Sequence, residues 1–319
     1  MQRREFLGIA AATLATAAFD HGAIAATMAA STDADDAVAF VRARRFVRTS
    51  AGDIAVVERG RGDAALFLHG FPLNGYQWRG ALARLSPLRR CIAPDFLGLG
   101  YTRVADGQSL GPDAQVRMPA ELLDALEVDR VAVVANDSGG QAAQLFLATY
   151  PGRVRTLLLT NCDSQIECPP RALQPVIALA KENRFAQQWP PPWLADKALA
   201  RSPQDLGGQT FTHASNPSDD AIDVYLAPLV RDAVRTNAFA VALERNWLDG
   251  IGPALKASRA PTRIVWGTGD PIFSEAGAAH LDAAFGASRG VRRVDGAKLF
   301  FPEEFPDLIA EEARRLWGA

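Results

Sequence analysis

Val131-Ala-Val-Val-Ala-Asn-Asp-Ser-Gly-Gly140 is the most informative stretch of the chain. A run of β-branched and small apolar residues ends at Asn136, then Asp137 and Ser138 lead into Gly139 and Gly140. The helix-prone Gln141-Ala-Ala-Gln-Leu-Phe-Leu-Ala-Thr-Tyr150 comes next. The order is strand, tight turn, helix, with a charged side chain at the apex. So sharp a turn brings backbone against backbone, and Ala135, Gly139 and Gly140 stand where a larger side chain would clash. The apex residue is strained and its side chain is pushed into the open, which makes Asp137 a candidate nucleophile. The bland alternative is a helix cap. Ser138 fits the nucleophile position less well, because Asn136 would then fill a place that wants a small residue.

Outward from this turn the chain alternates strands and helices. Phe46-Val-Arg-Thr and Ile54-Ala-Val-Val-Glu read as strands, and Ala64-Ala-Leu-Phe-Leu68 as a buried parallel strand ending in His69-Gly-Phe-Pro72. Arg90-Cys-Ile-Ala-Pro-Asp95, Val154-Arg-Thr-Leu-Leu-Leu-Thr160 and Pro261-Thr-Arg-Ile-Val-Trp-Gly267 are further strands, and Gly290-Val-Arg-Arg-Val-Asp295 is the last. Helices are expected at Tyr76 to Leu85, Gln115 to Leu126 and Pro302 to Trp317. Such alternation predicts a mostly parallel, doubly wound sheet with its active groups at the carboxyl ends of the strands. His69, Asp95, Asp137 and Asn161 to Asp163 all fall there. From Ser164 to about Ala238 prolines break the pattern, as in Trp189-Pro-Pro-Pro-Trp193, and this part reads as an inserted helical cap. The expected organisation is an export signal at 1–30, a first core part at 31–163, the cap at 164–238 and a second core part at 239–319.

The 319 residues carry a formal net charge of −2, and no Lys/Arg run is interleaved with aromatics, so nothing points to nucleic acid. Hydrophobic residues make up 48%, enough for a sizeable core. Arg3-Arg4-Glu5-Phe6-Leu7, the apolar stretch Gly8 to Phe19 and the small-residue sites after it form a twin-arginine-type export signal. The expectation is a precursor handled by the twin-arginine machinery, a mature chain starting near Ala26 or Ser31, and a periplasmic or secreted product with no membrane anchor. An oxidising compartment would permit a Cys162–Cys168 bridge; three buried, reduced thiols are the simpler reading.

The chain resembles the α/β-hydrolase fold superfamily, in the branch with an Asp nucleophile that includes epoxide hydrolases and dehalogenases. The resemblance rests on His69-Gly-Phe-Pro72, Asp95-Phe-Leu-Gly-Leu-Gly100, Asn136-Asp-Ser-Gly-Gly140, Trp266-Gly-Thr-Gly-Asp270 and Phe301-Pro-Glu-Glu304, in that order. It implies an α/β fold with an inserted cap, and hydrolysis of a small, largely apolar molecule through an ester on Asp137. An ordinary Asp is ionised at neutral pH and attacks without a base. The backbone N–H groups of Phe71 and Ser138 would form the anion hole. Asp270 follows a strand where this fold carries the acid that orients a histidine.

The histidine itself is missing. The resemblance expects it within Gly296-Ala-Lys-Leu-Phe-Phe301, where Leu299 is the best match, and no His follows His280. Two further departures narrow the reading. Dehalogenases carry Trp or Arg where this chain has Ser138, and epoxide hydrolases use two cap tyrosines where this cap offers Tyr225. His213 is a candidate substitute base from the cap. Trp78 and Asn136 are candidate pocket residues, as are the aromatics Phe71, Phe96, Trp189, Trp193 and Phe211. Asn161 and Asp163 are placed to orient a water or ligand. No cofactor or metal is called for. A binding protein that has lost turnover, and a lyase or isomerase using Asp137 as a general base, are the rival readings.

Overall fold

The computed structural model describes residues 37–319. The export signal, its cleavage sites and the acidic lead-in therefore lie outside the described residues. Among the described residues nine strands form one sheet: β1 (Arg45–Thr49), β2 (Gly52–Arg59), β3 (Ala64–Leu68), β4 (Arg90–Pro94), β5 (Arg103–Val104), β6 (Val131–Asp137), β7 (Val154–Cys162), β8 (Thr262–Gly267) and β9 (Ser288–Val294). Their order is β1-β2-β4-β3-β6-β7-β8-β9, with β5 paired to β2. The pairs β1–β2, β2–β4 and β2–β5 are antiparallel, and every pair from β4 through β3 to β9 is parallel.

The central strands are apolar because helices cover both faces of the sheet. All five residues of β3 and all seven of β6 are buried, as expected of parallel strands closed off from water on each side. β6 runs directly into the helix Ser138–Thr149, with a register shift between Asn136 and Asp137. A Cβ on Gly140 would lie 2.3 Å from Cys162 Cβ on β7, so only glycine allows the helix to start this close to the sheet.

Between β7 and β8 the chain forms a series of helices, the longer ones being Gln174–Lys181, Asp219–Arg231 and Ala233–Ala242. Prolines set several of their starts: Pro190 opens Pro190–Ala195, and Pro175 stands in the first turn of Gln174–Lys181. Ala233–Ala242 runs past residue 238, and the core resumes with Gly252–Ala257 and β8. The last helix, Pro306–Trp317, packs on Arg79–Leu85. Cys91, Cys162 and Cys168 are all free and buried. No helix among the described residues is long and apolar enough to cross a membrane.

Candidate active site

Loops at the carboxyl ends of the parallel strands meet the β7–β8 helices around a cavity of about 330 Å³. Phe71 and Pro72 come from the loop after β3, Asp137 and Ser138 from the end of β6, Asp163 from beyond β7 and Leu299 from the loop after β9. Val176, Phe185, Trp189, Trp193 and Leu206 close it from the helical side. The lining is mainly apolar, and no Lys, Arg or His is among the described residues that form it.

Asp137 sits at the turn with φ 54° and ψ −132°. A non-glycine residue there carries strain of roughly 1–3 kcal/mol, held by the surrounding structure. One carboxylate oxygen, Oδ2, accepts the Phe71 N–H at 2.8 Å. Gly70 makes this approach possible, since a Cβ at that position would lie 2.7 Å from the same oxygen. The loop is tied from behind. The Phe96 N–H donates to His69 Nε2 at 3.1 Å, so Nδ1 keeps the proton and donates to the Gly70 carbonyl at 2.9 Å. Burial lowers the His69 pKa, consistent with a neutral, structural ring.

Electrostatics oppose the expectation that Asp137 is freely ionised. Burial, then the Asp163 carboxylate, push its carboxyl well above the usual range, and Asp270 adds to this against the Phe71 and Ser138 N–H groups. Burial also pushes Asp163 up to about 7, opposed by a contact with Cys168. Asp270, beyond β8, is pushed by burial up to about 6. Asp270 Oδ2 accepts from Asn161 Nδ2 at 2.7 Å and Oδ1 from the Ile272 N–H at 2.8 Å. The same Asn161 brackets β8 through both the N–H and the carbonyl of Gly267. Asp270 is thus held close enough to act on Asp137 electrostatically, although it does not line the cavity.

Several site expectations are corrected. His213 is exposed on the surface, where its Nδ1 meets Glu304 Oε1 at 2.9 Å, and it does not border the cavity. Trp78 is fully buried in the core against Phe67, with ring centroids 5.7 Å apart. Asn136 does not reach the cavity, because its amide is consumed in cross-linking β7, the short helix Gly75–Trp78 and the loop after β9. Its Nδ2 donates to the carbonyls of Asn161 (3.1 Å) and Leu299 (3.0 Å), and its Oδ1 accepts from Gln77 Nε2 (2.6 Å). Phe96 and Phe211 are likewise core residues, whereas Phe71, Trp189 and Trp193 do line the cavity. Tyr225 is buried and donates to Glu303 Oε2 at 2.7 Å, away from the cavity.

Further polar groups complete the site. Ser138 borders the cavity, but its Oγ is buried and has no hydrogen-bond partner. Gln204, Asp205, Gln209 and Thr210 add a polar rim. Asp205 is already engaged, with Trp193 Nε1 donating to Oδ1 at 2.8 Å and Ser202 Oγ to Oδ2.

Comparison with known proteins places these features in a family context. The model of the alpha/beta hydrolase fold family matches residues 64–305. Over 82 residues the chain is 44% identical to the 2-hydroxy-6-oxo-2,4-heptadienoate hydrolase of Pseudomonas putida, covering 26% of this chain and 30% of that protein. Over 117 residues it is 32% identical to haloalkane dehalogenase 2 of Mycobacterium tuberculosis, covering 37% of this chain and 41% of that protein. These matches span less than half the length of either curated relative. A meta-cleavage product hydrolase from Pseudomonas fluorescens superposes with a TM-score of 0.71 at 18% identity, over 86% of this chain and 97% of that one, which is a likeness of fold.

Proposed function

The chain belongs to the alpha/beta hydrolase fold family, and we propose that it hydrolyses a small, largely apolar molecule by nucleophilic attack of Asp137. One observation carries this reading. Asp137 occupies the strained apex beside the cavity, with one carboxylate oxygen already on the Phe71 N–H at 2.8 Å. The second oxygen attacks a carbon bearing a leaving group, and an ester forms on Asp137. The Phe71 N–H stays on the ester carbonyl oxygen and stabilises the oxyanion when water attacks. The apolar lining supports an apolar substrate, and the dehalogenase among the relatives supports a saturated carbon as the target.

Attack requires the Asp137 anion, while burial and Asp163 raise its pKa. With an alkyl halide, whose leaving group needs no proton, ester formation therefore accelerates as pH rises through that raised pKa. The test exposes the purified protein to panels of epoxides, alkyl halides and activated esters, with intact mass and product recorded together. An adduct or turnover that vanishes in Asp137→Asn is the expected result. A wild-type protein that gives neither adduct nor product, yet is thermally stabilised by panel members, would be a binding protein instead. The elevated Asp137 pKa favours a second reading, in which Asp137 moves a proton in a lyase or isomerase reaction; turnover that needs Asp137 but never yields an adduct would select it.

Export by the twin-arginine route is part of the proposal and rests on Arg3-Arg4-Glu5-Phe6-Leu7 and the apolar stretch after it. Replacing Arg3 and Arg4 with Lys should retain the chain in the cytoplasmic fraction of an exporting bacterium.

A further inference from the structure

We propose that Asp163 is the acid–base partner of Asp137 and performs the proton transfers for which the cavity offers no histidine. The site should then favour an oxygen leaving group, as in an epoxide, over a carbon–halogen bond. This inference rests on the nucleophilic reading of Asp137.

The strand register supplies the geometry. Asp137 pairs with Cys162 across the parallel β6–β7 ladder, so Asp163 is the next residue past the end of the adjacent strand. Both border the same cavity, and Asp163 is only 5% exposed. Its carbonyl accepts from Gln144 Nε2 at 2.7 Å. Gln144 belongs to Ser138–Thr149, the helix that begins at Asp137, so the same helix anchors the backbone at both acids. The groups facing Asp163 are Asp137, Cys162, Cys168 and Glu167, with Asp270 acting on Asp137 from beyond β8. None is a cation. Asp205 is committed to Trp193 and Ser202, and Asp270 to Asn161 and the Ile272 N–H, whereas the Asp163 carboxyl meets the Cys168 thiol and its own N–H. The carboxyl of Asp163, at about 7, suits proton exchange near neutral pH.

The cycle closes on the two acids alone. Asp137 passes its proton to the Asp163 carboxylate. An Asp137 oxygen bonds to an epoxide carbon, the ring carbon–oxygen bond breaks with its electron pair on oxygen, and that oxygen takes the proton from Asp163. Asp163, again anionic, accepts a proton from water as the water oxygen attacks Asp137 Cγ. The ester carbon–oxygen bond then breaks, and the departing alcohol oxygen takes that proton. The diol leaves, and the two acids return to their starting state with Asp137 protonated. A departing halide takes no proton. Asp163 then stays protonated until solvent removes the proton, and only afterwards can it activate water.

Styrene oxide and 1-bromohexane are the probes, applied to wild type, Asp137→Asn, Asp163→Asn and Asp163→Glu, with intact mass, product and unfolding temperature measured for each. The expected result is diol from wild type, lost by on the order of 10²–10⁴-fold in Asp163→Asn. That variant should still accumulate a persistent hexyl adduct on Asp137, and Asp163→Glu should recover part of the diol activity with a shifted pH profile. Should Asp163→Asn prove unfolded, the pH profile of Asp163→Glu decides alone, and a profile identical to wild type overturns the inference. A folded Asp163→Asn that forms diol, or clears its adduct, at the wild-type rate overturns the role of Asp163 and leaves Asp137 standing. Absence of adduct and product from every protein removes the nucleophilic reading and this inference together.

Discussion

Leu299 places a hydrocarbon side chain on the cavity wall, on the loop where the resemblance expects a histidine, while its carbonyl is anchored by Asn136 Nδ2 at 3.0 Å. The anchor uses backbone only, so Leu299→His should keep the loop in place and bring an imidazole into the cavity with Asp137 and Asp163. Neighbouring carboxylates favour the imidazolium, and the new cation would lower the Asp137 pKa in turn. Above the pH at which that imidazolium loses its proton, decay of a preformed Asp137 ester should quicken by up to about 10²–10⁴-fold, and the pH limb of ester formation should move to lower pH. Single-turnover mass measurements check both, and an unchanged decay would show that the side chain at 299 does not reach the ester. Asp137 and the Phe71 donor were legible in the sequence because the turn dictates the first and the second is a backbone group that any residue supplies. Asn136, Trp78 and His213 were not, since residue type does not give the direction in which a side chain points. Asn136 turns away from the cavity to hold Gln77 and two carbonyls, and Glu304 holds His213 on the surface.

At the scale of elements, the site depends on how closely the helix Ser138–Thr149 meets β7 at the turn. Gly140→Ala would put a methyl 2.3 Å from Cys162 Cβ, against a sheet that cannot yield without moving β7. Overpacking of this kind costs about 1–3 kcal/mol or more, so the urea midpoint should fall and ester formation on Asp137 should fall with it. A midpoint equal to wild type would mean that the turn is more pliant than the packing implies. The same interlocking explains what the sequence revealed about the elements. β3, β6 and β7 were readable as apolar runs because burial on both faces leaves no polar phase in the pattern. The helices after β7 were harder to bound. They are short, proline starts several of them, and Ala233–Ala242 is apolar enough to continue past any compositional break near 238.

The whole molecule is nearly balanced in charge, at −2, yet its cavity brings acids together without a base among the described residues that line it. That imbalance gives a stability signature with a definite sign. A carboxyl whose pKa is higher in the folded than in the unfolded state binds its proton more tightly when folded. Its contribution is fully present below the unfolded value near 3.9 and is lost as pH rises through the folded value. For Asp270 and Asp163 the folded values are about 6 and about 7, so the loss accumulates from roughly pH 4 and ends just above pH 7. The buried Asp163 carboxyl accounts for roughly 4 kcal/mol of it, an order-of-magnitude figure from a rise of about three pKa units. Asp163→Asn keeps the shape of the protonated acid and cannot ionise. Denaturant unfolding across a pH series should therefore show variant and wild type equally stable near pH 4. The variant should gain steadily on wild type above that and keep gaining past pH 7, because removing the Asp163 charge also eases the ionisation of Asp137. A difference that does not change with pH, or a wild type more stable than the variant at pH 8, would mean that Asp163 ionises in the folded protein without penalty. The cavity would then contain a compensating charge or solvent access that the packing of Asp137, Cys162 and Cys168 around it does not provide.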